Sequence, residues 1–328
     1  MTASSTTAPG AGTGRTGAPT STPGCSTPAW YYLALDTAAE LAGLSGNSGD
    51  VAGYQSLRTS VRNNFDRVLW KSASNEYRSP GYTGDTDDRG HGLAVVAGLA
   101  APANHAAITK VLRDHQNADP YLEFYVLEAL YLMGRADVAE ARMRSRYAGQ
   151  VADSGYTLWE VWTKGGGNTD NHTWNGGPLY VLSAYAAGLR PSQPGWTQYD
   201  VVPQSGGFSE IDTVTPTVKG DITFALARSG TTVTLTLASP SGTTARVGVP
   251  TYGGAQPVIR ANGTTVFSGG SSTGSVSGLA YDGKDSAHVY FTAAYRALCG
   301  ASSVRPHWMR KVRSGRRVEH VSLGHVDL

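Results

Sequence analysis

The most informative residues lie between positions 156 and 177, where Glu160 stands between Trp159 and Trp162 and a glycine-rich loop leads on to His172 and Trp174. Indole faces stack on the C–H faces of sugar rings, and a carboxylate among them can move a proton or stabilise a forming cation. These residue types within about fifteen positions indicate carbohydrate chemistry. Glu160 is the candidate catalytic group, and the three indoles and His172 are candidate sugar contacts.

Glu160 must meet a physical condition if it is to act as a base. It has to stay ionised while it is partly removed from water, so it needs a nearby hydrogen-bond donor, and His172 or Arg89 can supply one. The alternative is that Glu160 is a salt-bridged surface residue. For Trp159 and Trp174, the alternative to a sugar platform is a place in the helical core.

Four other charged residues precede this stretch. Asp88 and Arg89 either bind sugar or cap and brace the helix that begins there. Glu123 falls in the first turn of an apolar helix, where the helix dipole favours a carboxylate. It either lines a pocket or only anchors that turn. We interpret Glu128, one turn further on, as structural.

The pattern from residue 30 to residue 188 is helical. Asp119-Pro120 opens an apolar helix over residues 121–133, because Asp suits the cap and Pro suits the first helical position. A helix that is apolar nearly all round is buried on every side. Such helices alternate with half-exposed ones across short loops, which is typical of stacked αα-hairpins. A toroid of hairpins would gather the polar and aromatic loops at one end.

After Pro203 the period changes to two. Asn262-Gly263 is a strong hairpin signal. Short strands separated by glycine-rich turns indicate an antiparallel β-sandwich, and the predicted strands cover residues 221–227, 231–238, 244–249, 258–267 and 288–292. The predicted fold class is therefore multi-domain, with a partial αα-hairpin toroid of the (α/α)6 type followed by an antiparallel β-sandwich.

Composition suggests four segments along the chain. Residues 1–28 are rich in Ser, Thr, Gly, Ala and Pro, cannot bury enough apolar surface to offset their chain entropy, and are expected to be disordered. Residues 29–197 form the helical part and residues 198–292 the sandwich. Residues 293–328 have no clean period and are expected to be an irregular basic tail, frayed or out of frame.

Charge and cysteine content exclude several functions. The formal net charge of +2 is concentrated after residue 294, where seven Lys/Arg face two Asp/Glu, so charge balance gives no support for nucleic-acid binding by the body of the chain. The basic tail could contact nucleic acid or anionic surfaces, which we rank low. Cys25 and Cys299 lie in the two segments least expected to fold and form no metal-ligand spacing or disulfide framework.

The sequence offers no targeting information. No apolar run approaches the length of a membrane span, and residues 1–28 contain no apolar core of a secretory signal. The compartment is therefore unknown, as is the oligomeric state. No membrane or nucleic-acid partner is expected.

The order of these segments resembles the C-terminal part of the α-L-rhamnosidases, which are six-hairpin glycoside hydrolases. The resemblance covers roughly residues 30–249. No single segment is specific, but the ordered set is fairly specific. The matching segments are WYYLAL from Trp30, TDDR from Thr86, PYLEFYVLEAL from Pro120, TLWEVW from Thr157 with the later Asn171-His172, and PTVKGDI from Pro216.

The resemblance implies an (α/α)6 barrel and an inverting mechanism. One carboxylic acid protonates the departing oxygen, and a second carboxylate about 6.5–9.5 Å away takes a proton from the attacking water. The family's general base is the glutamate of its Thr-x-x-Glu-x-Trp motif, which is Glu160 here, and its sugar-contacting Asn-His pair maps onto His172. The implied partner is a rhamnose-containing glycoside, hydrolysed at a terminal α-L-rhamnosyl linkage. No cofactor and no metal is expected.

The resemblance leaves the general acid unassigned. In the family the acid lies in an earlier acidic, aromatic segment, and residues 1–28 contain no Asp or Glu. About seven helices are predicted, whereas six hairpins need twelve. We therefore expect an incomplete enzyme with little or no rhamnosidase activity in isolation. The alternative is a non-catalytic remnant that only binds carbohydrate or a protein partner.

Overall fold

The structure is a computed structural model that describes residues 23–155, 157–165, 167–254, 256–294 and 319–327. It consists of a helical unit that ends at Pro178 and a β unit that begins at Leu179. This division falls before the predicted boundary at residue 197, because β3 (Leu189–Pro191) pairs with β4 (Gln198–Val201) and so belongs to a sheet.

The described part of the helical unit contains six helices of nine or more residues, and a seventh, short helix spans the position at which the β unit begins. They pair in chain order as hairpins α1–α2, α3–α4 and α5–α6, and α1, α3 and α5 also pack on one another. The predicted alternation of buried and half-exposed helices is thereby confirmed, and the described residues close no barrel. The helices are α1 (Pro23–Leu44), α2 (Ser48–Leu69), α3 (Asp88–Val96), α4 (His105–Asp114), α5 (Pro120–Leu132), α6 (Ala136–Ala152) and α7 (Gly177–Val181).

Two helix starts follow the capping chemistry of the sequence. Asp119 accepts a hydrogen bond from Leu122 N at 3.0 Å, with Pro120 in the first helical position of α5. At α3 the cap is Asp87, whose carboxylate accepts from Arg89 N. A two-stranded hairpin of β1 (Trp70–Lys71) and β2 (Glu76–Tyr77) lies between α2 and α3.

The predicted disorder of residues 1–28 is wrong for residues 23–28, which form the first turns of α1. The side chains of Cys25 and Ala29 are buried, and a Cβ added to Gly90 of α3 would lie 2.8 Å from Cys25 Cβ. The absence of a side chain at Gly90 therefore lets the first turns of α1 approach α3 closely. Residues 1–22 and Cys299 lie outside the described residues.

Apolar side chains remain exposed on α1 and α2. Leu44 is 78 % exposed, Leu41 58 % and Leu57 48 %. None of the helices in the described ranges is both long and apolar enough to cross a bilayer.

The β unit contains two sheets around one apolar core. The seven-stranded sheet has the order β11-β10-β9-β14-β7-β6-β5, and the five-stranded sheet has the order β12-β13-β8-β4-β3. Beyond β3 and β4, the strands are β5 (Glu210–Thr215), β6 (Ile222–Ser229), β7 (Thr232–Ser239), β8 (Thr244–Pro250), β9 (Val258–Ala261), β10 (Thr264–Ser268), β11 (Ser271–Ser272), β12 (Leu279–Lys284), β13 (His288–Ala294) and β14 (Glu319–Asp327).

The period-two pattern predicted this unit correctly. Inward-facing residues of both sheets, such as Phe224, Leu235, Val247 and Phe291, form one buried cluster. The Asn262-Gly263 turn is confirmed, because both residues have positive φ and Ala261 pairs with Thr264. All described neighbours are antiparallel except β4 and β8, which are parallel.

The expected irregular tail is wrong for residues 319–327, which form β14 between β7 and β9. A strand in the middle of a sheet is stabilised by hydrogen bonds on both edges, and sequence periodicity does not reveal those partners. Residues 295–318 and residue 328 lie outside the described residues.

Candidate active site

Glu160, His172 and the three tryptophans predicted beside them lie on one loop of the helical unit. We call residues 157–165 and 167–176 the Glu160 loop. Its two limbs are held together by backbone hydrogen bonds from Glu160 N to Thr169 O at 2.9 Å and from His172 N to Leu158 O at 2.7 Å. The loop ends in a 3-10 turn over Thr173–Gly176, which leads into α7. Glu160 and His172 are therefore placed on facing limbs.

Glu160 is half-buried and one of its oxygens is occupied. Oε2 accepts hydrogen bonds from Thr169 N at 2.8 Å and Thr169 Oγ1 at 2.9 Å. Among the described residues Oε1 has no hydrogen-bond partner. The two bonds from Thr169, and more weakly the nearby His172, hold the pKa of Glu160 below its ordinary value, so the carboxylate is ionised.

The donor to Glu160 is not one of the two that the sequence suggested. Thr169 supplies both hydrogen bonds, His172 contributes only a weaker electrostatic effect, and Arg89 is bound elsewhere. Thr169 lies nine positions after Glu160, and only the fold of the loop brings it back. A salt bridge from Glu160 to a cation, the alternative expected from the sequence, is absent among the described residues.

Trp174 and His172 form a stacked pair beside Glu160. Their ring centroids are 3.9 Å apart with 27° between the planes, and Trp174 Nε1 donates to Glu160 O at 2.9 Å. Tyr121 of α5 also packs on Trp174, with ring centroids 5.6 Å apart. Trp174 therefore braces the backbone of Glu160, and its contact with sugar stays a prediction.

Trp162 joins the loop to the helices. Its Nε1 donates to Ala118 O at 2.8 Å, the Arg146 guanidinium lies 4.1 Å from the indole centroid, and Tyr147 meets it edge-on. A cation over one face of the indole closes that face to a sugar ring. This contact favours a bracing role for Trp162, and sugar binding by it stays a prediction.

Trp159 is half-buried, and its backbone is held from two directions. Its N–H donates to Gln150 Oε1 at 3.0 Å, and its carbonyl accepts from Asn175 Nδ2 at 2.7 Å. Gln150 belongs to the last turn of α6, and Asn175 belongs to the 3-10 turn. The platform role of Trp159 stays a prediction.

Asp88 and Glu123 belong to a buried ion-pair network with Arg142 and Arg146. Arg142 donates to Glu123 Oε1 and Oε2, both at 2.7 Å, and to Asp88 Oδ2 at 2.6 Å. Arg146 Nη1 donates to Glu123 Oε2 at 2.6 Å. Burial opposes the charge of Arg142, but Glu123 and Asp88 outweigh it and raise the pKa of Arg142. Two carboxylates balance two guanidinium groups.

The network leaves Glu123 fully occupied and without solvent exposure. Of the two roles expected for Glu123, this arrangement favours the structural one, because both carboxylate oxygens already accept from arginines. Asp88 is equally enclosed and also accepts from Asn117 N at 3.1 Å. Direct sugar contact by either carboxylate stays a prediction that requires the network to open.

Arg89 is buried and bound to Asp87. Its Nε and Nη2 donate to the two carboxylate oxygens at 2.9 and 3.0 Å. Nη1 is buried without a hydrogen-bond partner among the described residues. The bidentate pair supports a bracing role at the start of α3. The free nitrogen is compatible with ligand binding by Arg89, which stays a prediction.

His91 is a buried core histidine. Its Nε2 accepts from Tyr77 N at 2.8 Å, so Nδ1 carries the proton that is donated to Asp87 O at 2.6 Å. Burial lowers the pKa of His91 to about 4. The described residues contain no group of three or more His, Cys, Asp or Glu side chains that could hold a metal ion.

The sequence missed the side chains that fix the loop. Thr169, Gln150 and Asn175 carry no catalytic signature of their own, and their partners are distant in the sequence. The structure brings Glu160, His172 and Trp174 together. It connects Trp162 to Glu123 and Asp88 only through the two arginines.

Two models of known domain families match this chain, one over its helical part and one over its β part. Residues 15–186 match the model of the bacterial alpha-L-rhamnosidase 6 hairpin glycosidase domain. Residues 188–262 match the bacterial alpha-L-rhamnosidase C-terminal domain. The first match alone spans more than half of the chain. The search of curated proteins gave no match.

Solved structures agree at the level of the fold. An alpha-L-rhamnosidase from Dictyoglumus thermophilum superposes with a TM-score of 0.74 at 16 % identity, covering 96 % of this chain and 33 % of that one. An alpha-L-rhamnosidase from Streptomyces avermitilis, complexed with L-rhamnose, gives 0.66 at 17 %, covering 92 % and 27 %. One from Aspergillus terreus gives 0.60 at 17 %, covering 83 % and 31 %.

The chain thus spans about a third or less of the length of these structures. Their likeness shows the fold, in which a helical region precedes an antiparallel β domain. The two domain matches establish that the chain belongs to the bacterial alpha-L-rhamnosidase family and is a glycoside hydrolase-like protein.

Proposed function

We propose that the chain carries the water-activating side of an inverting α-L-rhamnosidase site, with Glu160 as the general base. The observation that carries this proposal is the state of the Glu160 carboxylate. Thr169 occupies Oε2 and keeps the group ionised, while Oε1 has no partner among the described residues. An ionised carboxylate with one free oxygen, next to the His172–Trp174 pair, is suited to accept a proton from water.

The proposed reaction is a single displacement at the anomeric carbon of a terminal α-L-rhamnosyl unit. The water oxygen forms a bond to that carbon while its proton passes to Oε1 of Glu160. The glycosidic carbon–oxygen bond breaks, and the departing oxygen takes a proton from a second carboxyl group about 6.5–9.5 Å from the base. The configuration inverts, so the product is β-L-rhamnose.

The proton donor is the part of this site that remains unassigned. The family's acid belongs to an earlier acidic segment, and residues 1–28 of this chain contain no carboxylate. We therefore propose that the chain alone turns over ordinary rhamnosides poorly or not at all. A substrate whose leaving group needs no proton should bypass this deficit, and α-L-rhamnosyl fluoride is such a substrate.

The test compares rhamnosyl fluoride with an aryl α-L-rhamnoside on the full chain. We expect fluoride release with β-L-rhamnose as the first product by ¹H NMR, and little or no aryl turnover. Glu160→Gln should abolish fluoride release. Glu40→Gln, which changes an exposed carboxylate of α1, is the matched control and should leave it unchanged. Equal hydrolysis by Glu160→Gln and the parent chain would refute the base assignment.

A second candidate function is carbohydrate or protein binding without catalysis. The exposed apolar side chains of α1 and α2, Leu41 and Leu44 in particular, support a binding role. Calorimetric titration with L-rhamnose separates the two. Binding without fluoride release would favour the non-catalytic candidate, and release that depends on Glu160 would favour the hydrolase.

A further inference from the structure

Two buried amides, Gln150 and Asn175, hold the residue that precedes Glu160. Gln150 Oε1 accepts from Trp159 N at 3.0 Å and from Asn175 Nδ2 at 2.8 Å. The same Asn175 nitrogen donates to Trp159 O at 2.7 Å. The peptide groups on both sides of Trp159 are therefore tied to one amide pair, which is 5 % exposed at Gln150 and fully buried at Asn175.

The hydrogen-bond pattern fixes the orientation of both amides. If Gln150 were flipped, its NH₂ group would face the Trp159 N–H and the Asn175 NH₂, which are donors. If Asn175 were flipped, its oxygen would face two acceptors, Gln150 Oε1 and Trp159 O. Only the observed orientation pairs donors with acceptors. The pair therefore positions Trp159 in one way.

Stability alone does not explain the pair. Gln150 Nε2 and Asn175 Oδ1 are buried and have no hydrogen-bond partner among the described residues. Unpartnered polar atoms in the interior oppose folding, and apolar side chains of similar shape would avoid that penalty. What the amides provide instead is a fixed placement of the backbone between the end of α6 and the 3-10 turn.

We infer that Gln150 and Asn175 are positioning residues for Glu160. They act through the Trp159 backbone and touch neither water nor sugar at the reacting centre. The Glu160 side chain is anchored by Thr169 on the facing limb, and the amide pair anchors the other end of the same short segment. Removing the pair lets the Glu160 Cα shift relative to the sugar. This inference rests on the proposed function of Glu160.

The first test measures the loop without requiring turnover. Hydrogen exchange of the Trp159 amide is followed by NMR, with the amide of Glu123, which donates to Asp119 O at 2.8 Å, as the internal reference for global opening. In Gln150→Leu we expect exchange at Trp159 to accelerate about tenfold relative to Glu123. Gln150→Glu keeps an acceptor oxygen and should restore protection.

The second test uses rhamnosyl fluoride kinetics. Gln150→Leu should lower kcat about tenfold and leave KM within about twofold, because misplacing the base affects the chemical step more than substrate binding. Gln150→Glu should recover most of kcat. Asn175→Asp retains the side-chain shape but loses the donor, and should resemble Gln150→Leu. Gln55→Leu, on the exposed side of α2, is the matched control and should change neither readout.

Either test can overturn the inference. Unchanged exchange at Trp159, or equal acceleration at Trp159 and Glu123, would show that Gln150 does not hold the loop locally. Faster exchange at Trp159 with an unchanged kcat would show that the placement has no catalytic role. If the parent chain released no fluoride, the base assignment would fail, while the exchange experiment would still decide whether the amides hold the loop.

Discussion

Replacing Glu123 by Gln should strongly destabilise the helical unit, because this carboxylate is bound to two buried guanidinium groups. The substitution leaves Arg142 and Arg146 buried with only Asp88 for balance. The Gln side chain keeps an oxygen at one of the two carboxylate positions, but its NH₂ group takes the other. That NH₂ group then faces an arginine donor that lay 2.6–2.7 Å from a carboxylate oxygen of Glu123. Removing one partner of a buried pair costs about 3–5 kcal/mol.

A loss of that size is measurable by heat or denaturant. Each kcal/mol lowers Tm by about 2–4 °C in a chain of this class, so the fall should be about 6–20 °C. The matched control is Asp137→Asn, which breaks an exposed pair between the first turn of α6 and Arg135, the residue before it, and should cost less than about 1 kcal/mol. Urea unfolding followed by tryptophan fluorescence gives both free energies.

The result for Glu123 separates its two predicted roles. If Glu123→Gln unfolds at the same urea concentration as Asp137→Asn, the network does not stabilise the fold, and a role at a sugar pocket becomes the better explanation. A double variant, Glu123→Gln with Arg146→Met, provides a further check. It should be less destabilised than the sum of the single variants, because each single change leaves an opposite charge unpaired.

Three further predictions follow from particular contacts. Burial lowers the pKa of His91 from 6.5 to about 4, so as the pH falls the unfolded chain protonates this histidine before the folded chain does. The free energy of unfolding should therefore be highest above pH 6.5 and fall by about 3 kcal/mol between pH 6.5 and 4. Urea unfolding should show this pH dependence in the parent chain and lose it in His91→Gln. Thr169→Val keeps the backbone N–H donor but removes the hydroxyl donor, so it should raise the pKa of Glu160 and move the acidic limb of fluoride release to higher pH. Thr169→Ser should stay close to the parent, and an unmoved limb in Thr169→Val would contradict the role of the hydroxyl. Gly90→Ala should destabilise the chain by about 1–3 kcal/mol, because the added Cβ meets α1 at 2.8 Å, whereas Gly53→Ala in the open part of α2 should be neutral or stabilising, as thermal unfolding would report.

Local signals in the sequence were enough for much of the fold. The Asp119-Pro120 pair marked the start of α5, and Asn262-Gly263 marked the turn between β9 and β10. Each depends on backbone preferences within a few residues. The change of period near Pro203 likewise separated helices from strands, because side-chain direction repeats differently in the two.

Features set by distant partners could not be predicted. The first turns of α1 are helical because Gly90, 65 positions after Cys25, leaves room for them. The strand at residues 319–327 forms between β7 and β9, which lie far earlier in the chain. In both cases the composition of the segment predicted irregular structure, whereas packing against a part of the chain distant in sequence determined its conformation.

The candidate site divides in the same way. The motif around Glu160 identified the carboxylate, but not the threonine that keeps it charged or the amides that hold its backbone. The sequence also could not show which indole faces are covered, and Arg146 over Trp162 and His172 against Trp174 are visible only in the structure. Residue type indicates which chemistry a side chain can perform, and the residues packed against that side chain decide whether it can reach a substrate.

The close approach of α1 and α3 turns Cys25 into a reporter of native-state opening. Its thiol is enclosed against Gly90, and burial raises its pKa to about 12, so the reactive thiolate is scarce while the two helices are in contact. An alkylating reagent can modify this sulfur only after α1 separates from α3. The rate of labelling at Cys25 therefore measures how often the first helix detaches from the helical unit.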